Sequence, residues 1–454
     1  MHEFVAQDRR VLAGVTQWAL TRLSEPPEVA PREGLVLPAI DREGVGNEAA
    51  WATLRDTVLP TAFPTDHPRY LAFVGGAPTP AAVLADMALS AAAVYAGSAL
   101  EAGMVAAAEQ AVIGWLCRVF GYPHDADGAF VSGGSLANLS ALVAARHGRA
   151  TNSGRSPSVI VAGASAHPSV QAAAEIMGCT IERAGTPDAA LRGIDLVAVL
   201  DRLDPADVVA VVASAGATNT GAVDALTEIA DTCEGRGLWL HVDAAYGGAA
   251  MLAPALRGSF AGIERADSIT IDPHKWLFAP FECATVLYRK PAAARAAHRQ
   301  HAHYLEPVNG PEGDYNPSDY SVHLTRRARG LPLWASLVAN GTDAYVDAVE
   351  RCLATAAYAA KWIDASPTLD LVSGPELSIV LFRRTGWCAE DYSRWSQATH
   401  HRGLGLVTPT VFAGHPAFRL CFVNPRTTEA DVDVLLRSLT EATRDGADMS
   451  GSGT

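Results

Sequence analysis

The segment Ser268-Ile-Thr-Ile-Asp-Pro-His-Lys-Trp276 runs from a β-branched stretch into a turn that carries Asp272, His274 and Lys275. A lysine at the end of a buried strand, flanked by aromatic groups, sits where its ammonium is disfavoured. Only the neutral amine can attack an aldehyde and hold it as a Schiff base. A lysine snorkelling to the surface beside an interfacial tryptophan fits the same residues. A second segment, Leu238-Trp-Leu-His-Val-Asp-Ala-Ala-Tyr-Gly-Gly248, ends a hydrophobic strand in Asp243. Ligands of open α/β sheets bind at the carboxyl ends of strands, and a carboxylate placed there needs a cationic partner. A protonated pyridine nitrogen would serve, and a ring held in that state is an electron sink for a carbanion. Ala245, two residues on, projects to the same side if the strand continues, so its methyl can press on one ring face. An aspartate that only caps the next turn is the plainer alternative.

Three further segments are weaker alone. Val131-Ser-Gly-Gly-Ser-Leu-Ala-Asn-Leu139 is a glycine-rich turn opening a helix; the free N–H groups of a helix start bind phosphate, with Gly134 and Ser135 as the natural contacts, although the same pattern is an ordinary N-cap. Ser165-Ala-His-Pro-Ser169 sets His167 between a strand and a helix, where an imidazole can stack on a ring and shuttle a proton or serve a structural role. Ala213-Ser-Ala-Gly-Ala-Thr-Asn-Thr-Gly221 is a small-residue loop at a strand end, and Ser214 there has a hydroxyl to offer a ring oxygen or a carboxylate.

The elements that must position these groups alternate. Apolar runs at 158–162, 208–213, 238–242, 268–271 and 284–288 are separated in several places by helical patterns at 135–146, 169–177 and 225–233. That order predicts an α/β fold with a mainly parallel central sheet covered on both faces. Before it, residues 1–79 read as an N-terminal helical segment, with helical pieces at 10–23 and 48–58 around a Pro/Gly-rich linker at 24–46; these are too short to form a core alone and are expected to pack on the main body or on a second subunit. Residues 80–332 are expected to form the large domain. Residues 333–454 are expected to form a smaller α+β domain, opening with a long helix over 334–363 and continuing with strands at 378–382 and 418–423 and a helix at 429–442. The run from Met87 to Ala108, low in charge, predicts one buried helix rather than a membrane span. The polar stretch Glu306–Ser321 is long for a loop in a compact domain and reads as a mobile lid. The Gly/Ser-rich tail 445–454 is expected to be disordered.

Composition narrows the partners. With 49% hydrophobic and 19% charged residues the chain has what a large packed core requires. A formal charge of −14 repels phosphate backbones, so no nucleic-acid partner is expected, and no polybasic stretch offers a hold on an anionic membrane. The seven cysteines are scattered without a CxxC pair, which argues against a disulfide framework or a zinc site and for a reducing cytoplasm. The N-terminus MHEFVAQDRR has no apolar core of a signal peptide.

Taken in order, these motifs resemble those of the group II decarboxylases dependent on pyridoxal phosphate (PLP), the aromatic L-amino acid decarboxylase family. The resemblance includes HPRYLAFV (67–74), GGSLANL, the His167 turn, HVDAAYGG, DPHKW, RRARGLPLW (326–334) and LCFVNPRTTEADVD (420–433). It implies a fold type I, aspartate aminotransferase-like homodimer with active sites shared between subunits, and PLP as cofactor without a metal. It implies Lys275 as the Schiff-base lysine, Asp243 as the pyridine-nitrogen partner, Ala245 as the ring-packing alanine and His167 as the stacked histidine. Gly134, Ser135 and His274 fall at the phosphate, and Ser214 stands where animal enzymes have threonine. Asp272 replaces an asparagine of the animal enzymes; a carboxylate repels phosphate, so it is expected to cap the turn. Tyr304 matches a catalytic tyrosine on a mobile loop, able to return a proton to the α-carbon. Related aldehyde synthases have phenylalanine there, so Tyr304 favours plain decarboxylation over oxidative deamination; a carbon–sulfur lyase on the same scaffold is a further alternative. At positions that shape the family's substrate pocket stand Phe73, Val74, Gly75 and Gly76, with Tyr95 and Gly97 expected from the second subunit. They predict a roomy apolar pocket for an aromatic or bulky apolar L-amino acid.

Overall fold

The computed structural model describes residues 3–25, 36–306 and 315–442, apart from the side chains of residues 152, 153 and 304. Seven strands make the central sheet: β1 (Asp127–Val131), β2 (Val159–Gly163), β3 (Thr180–Ala184), β4 (Val208–Ser214), β5 (Leu240–Asp243), β6 (Ser268–Ile271) and β7 (Ala284–Tyr288), in the order β1-β7-β6-β5-β4-β2-β3. The pairs β2–β3, β2–β4, β4–β5 and β5–β6 are parallel, and β7 runs antiparallel to both β6 and β1. Every residue of β4, β5, β6 and β7 is buried, as strands of a sheet covered on both faces must be. That is why their sequences are rich in apolar and β-branched residues. Helices Gly134–Ser153, Pro168–Met177 and Leu226–Arg236 are the connections expected from the alternation. β1 and β3 were not: β1 is a short edge strand beginning Asp-Gly, and β3 (Thr-Ile-Glu-Arg-Ala) is mostly exposed.

A second, antiparallel sheet has the order β10-β11-β9-β8, from β8 (Leu369–Ser373), β9 (Ile379–Arg384), β10 (Pro409–Phe412) and β11 (His415–Cys421). It packs with the helices Leu331–Asp364, Ala389–His401 and Glu429–Glu441 around Phe382, Phe418, Phe422 and Tyr392. The long helix Leu331–Asp364 is broken at Gly341, whose φ of 75° and ψ of 164° are open to glycine. Leu71 belongs to this second core: its N–H bonds to the Leu406 carbonyl at 2.9 Å, and its carbonyl accepts from Cys421 N–H at 3.0 Å.

Two expectations are corrected. Residues 87–108 are not one helix. A helix over Pro80–Ala92 ends at Ala93 (φ 53°), and a short one over Ala99–Ala102 starts where Ser98 Oγ accepts the Glu101 N–H. A third begins after Gly103 (φ 54°) and runs over Met104–Val119. Low charge indicated burial, but the serine cap and the glycine set the breaks. Nor is 306–321 a lid throughout. Residues 307–314 lie outside the described residues, but Pro317–Tyr320 is a buried helical turn whose Tyr320 hydroxyl donates to Asp127 Oδ2 at 3.1 Å, so its aromatic anchor outweighs its Pro/Gly-rich composition. Of the linker at 24–46, residues 26–35 likewise lie outside the described residues, as does the tail at 445–454.

The first two helices, Ala6–Ser24 and Asn47–Thr53, bury none of their residues. They touch through Trp18 and Trp51, edge to face at 5.8 Å, and leave Leu12, Leu20, Val36, Leu37 and Ile40 exposed. Among the described residues no helix is long and apolar enough to cross a membrane.

Candidate active site

A cavity of about 300 Å3 opens at the carboxyl ends of β4, β5 and β6. Gly134, Ser135, His167, Ser214, Asp243, Ala245, His274 and Lys275 all line it. Residues separated by up to 141 positions thus meet in one place, because parallel strands deliver their carboxyl ends to one edge of the sheet. The size is at the lower end of the range for small-molecule sites.

Lys275 lies in the turn Pro273–Trp276, immediately after β6. Its Nζ is 2.9 Å from Asp272 Oδ2. Burial works against its charge, but the carboxylates of Asp272 and Asp243 prevail, so its pKa is raised above that of an ordinary lysine. The expectation of an amine ready to lose its proton is therefore corrected: in this state Lys275 is an ammonium, because the residue two positions before the histidine of the turn is a carboxylate aimed at it. Asp272 does not cap the turn as expected. It stands at the N-cap position with no side-chain cap bond; Oδ2 faces Lys275 and accepts the Gly134 N–H at 3.3 Å, while Oδ1 is buried without a partner. A Cβ on residue 134 would stand 2.9 Å from Oδ2, so this approach requires a glycine there.

Asp243 ends β5 with both oxygens engaged. Oδ1 accepts from Ala245 N–H at 3.1 Å and Oδ2 from Asn138 Nδ2 at 2.9 Å. His167 precedes the helix Pro168–Met177. Its Nδ1 accepts the Ser169 N–H at 3.1 Å and lies 2.8 Å from Ser169 Oγ. With Nδ1 occupied as an acceptor, the proton of the neutral ring is on Nε2. Burial lowers its pKa, so His167 presents an N–H and not a positive charge. His274 is similarly constrained: Nδ1 accepts the Cys283 N–H at 3.1 Å, Nε2 lies 3.8 Å from Asp272 Oδ2, and burial lowers its pKa. Ser214 ends β4, its N–H bonded to Asp224 Oδ2 at 2.6 Å.

None of the expected substrate residues lines this cavity. The segment 73–76 abuts the lysine turn: a Cβ on Gly76 would stand 1.9 Å from the His274 carbonyl oxygen and 2.8 Å from that of Lys275. Gly75 packs on the Tyr70 ring. Phe73 is 59% exposed in a left-handed conformation (φ 49°), and its carbonyl accepts from Arg419 Nη1 at 2.7 Å. Val74 packs partly buried against the main core. Tyr95 and Gly97 do not line the cavity of their own chain; the Tyr95 hydroxyl donates to the Leu324 carbonyl at 3.3 Å and crowds Gly97. Tyr304 stands in the single turn His303–Leu305, and its side chain lies outside the described residues.

The sequence reading missed Asn138, Ser165, Ser169, Thr218 and Tyr246, which also line the cavity. Asn138 was within reach: it falls four residues after Gly134 on the same helix, hence on the same face. Arg419 was missed too. It is a buried cation beside the segment 73–76, and among the described residues its Nε and Nη2 reach no oxygen or nitrogen acceptor.

The residues fit a phosphorylated pyridine aldehyde. The helix Gly134–Ser153 opens on the cavity with no side-chain cap; its Gly134 N–H is shared with Asp272, so Ser135 is the residue of the first turn best placed to offer its N–H and hydroxyl to a phosphate. Ser165 Oγ is buried on the cavity wall without a partner, a lysine is present for the aldehyde, and a carboxylate for the ring nitrogen. Fold and site together define an enzyme of the PLP-dependent class with an open, mainly parallel sheet.

The pyridoxal-dependent decarboxylase conserved domain matches residues 48–385, and the chain belongs to this family. It is a PLP-dependent carboxy-lyase that decarboxylates an amino acid. It is 32% identical over 381 residues to an aromatic-L-amino-acid decarboxylase of Bacillus atrophaeus, covering 81% of this chain and 79% of that one. It is 32% identical over 421 residues to an L-2,4-diaminobutyrate decarboxylase of Rhizobium meliloti, covering 90% and 84%. The crystal structure of Oryza sativa TDC with PLP and tryptamine has the same fold, with a TM-score of 0.86 and 23% identity over 97% of this chain and 99% of that one.

Proposed function

We propose that the amino acid this decarboxylase acts on carries an aromatic or bulky apolar side chain. The observation that carries the reading is Phe73: an exposed aromatic ring in a left-handed backbone conformation, its carbonyl fixed by buried Arg419, in a segment whose Gly76 packs on the lysine turn. Non-glycine residues adopt that conformation at a cost, and such positions cluster at ligand sites. The similarity to the Bacillus enzyme supports the reading; the Rhizobium relative marks the competing substrate class.

When bound, PLP supplies an aldehyde that takes up an amino group and a ring that accepts the electron pair left by a departing carboxylate. The chain's own residues do the rest. In our reading Gly134, Ser135 and His274 hold the phosphate, Ser214 offers its hydroxyl to a ring oxygen, and Ala245 and His167 press the two faces of the ring. Asp243 holds the proton on the ring nitrogen. Lys275 is the anchoring amine and must shed the proton that Asp272 stabilises. Arg419 orients the substrate with its guanidinium N–H groups. His167 has no acidic group behind Nδ1 from which to draw a proton, only the N–H and hydroxyl of Ser169. It positions by donating from Nε2, and Tyr304 is the residue that returns the proton to the α-carbon.

A homodimer with shared sites completes the reading. Helices that bury nothing, with leucines exposed, need a second surface, and Tyr95, Gly97 and Tyr304 of the second subunit would close the pocket. All seven cysteines are free thiols, in keeping with the cytoplasm. The test is a panel of the common amino acids and their aromatic derivatives, with CO2 and amine read by mass spectrometry. Release from L-glutamate or L-2,4-diaminobutyrate and from no aromatic substrate refutes the assignment.

A further inference from the structure

Behind Asp243 lies a buried string of polar side chains. Trp239 Nε1 is 2.9 Å from Ser268 Oγ, Ser268 Oγ is 2.8 Å from His241 Nδ1, His241 Nε2 is 3.0 Å from Asn138 Oδ1, and Asn138 Nδ2 is 2.9 Å from Asp243 Oδ2. The same Nδ2 lies 3.0 Å from Ser169 Oγ, whose residue holds His167 Nδ1. His241, Asn138 and Ser268 are all 0% exposed.

The two ends decide the direction of every bond between them. An indole N–H only donates, and a carboxylate only accepts. Asn138 must therefore turn its NH2 toward Asp243, which leaves its Oδ1 to accept from His241 and requires the His241 proton on Nε2. Nδ1 of His241 is then an acceptor, Ser268 donates to it, and Ser268 in turn accepts from Trp239. With a neutral His241, no other arrangement satisfies all four contacts. Burial supports it by holding His241 neutral, its pKa pushed down to about 4. Bonds aligned in this way polarise one another, and the donor at the end of the string is strengthened.

We propose that Asn138 is a positioning residue for the cofactor ring: its amide is the last link of a one-way donor chain running from Trp239 through Ser268 and His241 to Asp243. The chain fixes the plane of the Asp243 carboxylate and keeps it the weaker base of the pair it forms with a ring nitrogen, so the shared proton stays on the ring. Asn138 also ties that carboxylate to Ser169, and so to His167, through a single NH2 group. This inference rests on the reading of Asp243 as the ring-nitrogen partner.

The test uses the full chain, with 15N-labelled histidine, in holoenzyme carrying PLP labelled with 15N in the ring. In the wild type, His241 shows the Nε2–H tautomer and the ring nitrogen resonates as protonated. In Asn138→Leu, nearly the same size but without donor or acceptor, the His241 Nε2–H loses its hydrogen-bonded shift. The ring nitrogen then moves toward the unprotonated position. Asn138→Ser, which retains one donor, gives an intermediate ring shift and serves if the leucine variant does not fold. A wild-type His241 with its proton on Nδ1 overturns the proposal, since the chain would then run the other way. So does a ring-nitrogen shift unchanged in both variants. The histidine tautomer is also read in protein without cofactor, so failure of the chain is distinguishable from failure of PLP to bind at Asp243.

Discussion

Asp272→Asn isolates the charge that holds Lys275 protonated. The carboxylate it neutralises has an oxygen 2.9 Å from Nζ, and an opposite charge at such a distance moves a pKa by about 1–3 units. That is about 1.4–4 kcal/mol. The sign follows from the contact: the wild-type carboxylate raises the lysine pKa, so its loss lowers the pH at which the amine becomes reactive. Below that point, at fixed pH, the neutral fraction rises about 10- to 1000-fold. The assay is capture of aldehyde by cofactor-free protein, followed by visible absorbance in a stopped-flow instrument across a pH series. The variant's rate profile should have its midpoint at lower pH. PLP alone would confuse this with relief of repulsion between carboxylate and phosphate, so the series is repeated with pyridoxal, which has no phosphate. A midpoint unmoved for pyridoxal refutes the argument that Asp272 keeps Lys275 charged.

Other outcomes follow from the same geometry. Lys275→Ala should abolish the visible band of lysine-bound cofactor while free PLP still associates; persistence of covalently bound PLP after denaturation would assign the anchor to another residue. Tyr304→Phe should divert product from amine toward aldehyde, with hydrogen peroxide formed in step; an unchanged amine yield means another group returns the proton. His241 is buried with its pKa near 4 instead of 6.5. A depressed histidine stabilises the fold above its unfolded pKa and loses that contribution as pH falls through the folded one. About 3 kcal/mol should therefore disappear between pH 6.5 and 4, and chemical denaturation of wild type against His241→Gln over that window should show a smaller acid loss in the variant.

Strands buried on both faces leave a plain record in sequence, and Ser268–Ile271 and Ala284–Tyr288 have the ends that their apolar runs suggested. Edge strands do not: β3 alternates little and is largely exposed, so nothing in Thr-Ile-Glu-Arg-Ala separates it from a loop. At the site, residues bound to motifs were legible because each motif is itself the local geometry, a strand end or a helix start. Asp272 was not, because its effect depends on Gly134, 138 positions away, letting the carboxylate approach. His241 and Ser268, and the link that joins Asn138 to them, were invisible for a related reason. Each is unremarkable in its own segment, and only the pairing of β5 with β6 and the packing of helix 134–153 over them makes a chain of donors.

The bonds of Leu71 to Leu406 and Cys421 impose an order on synthesis. As the chain emerges from the ribosome, residues 67–76 are made well before β11 and the Arg419 side chain that secure them. The wall beside the lysine turn stays unfinished until those later residues have been made. A chain cut before Leu406 would hold every strand of the central sheet and lack the partners that fix Leu71 and Phe73.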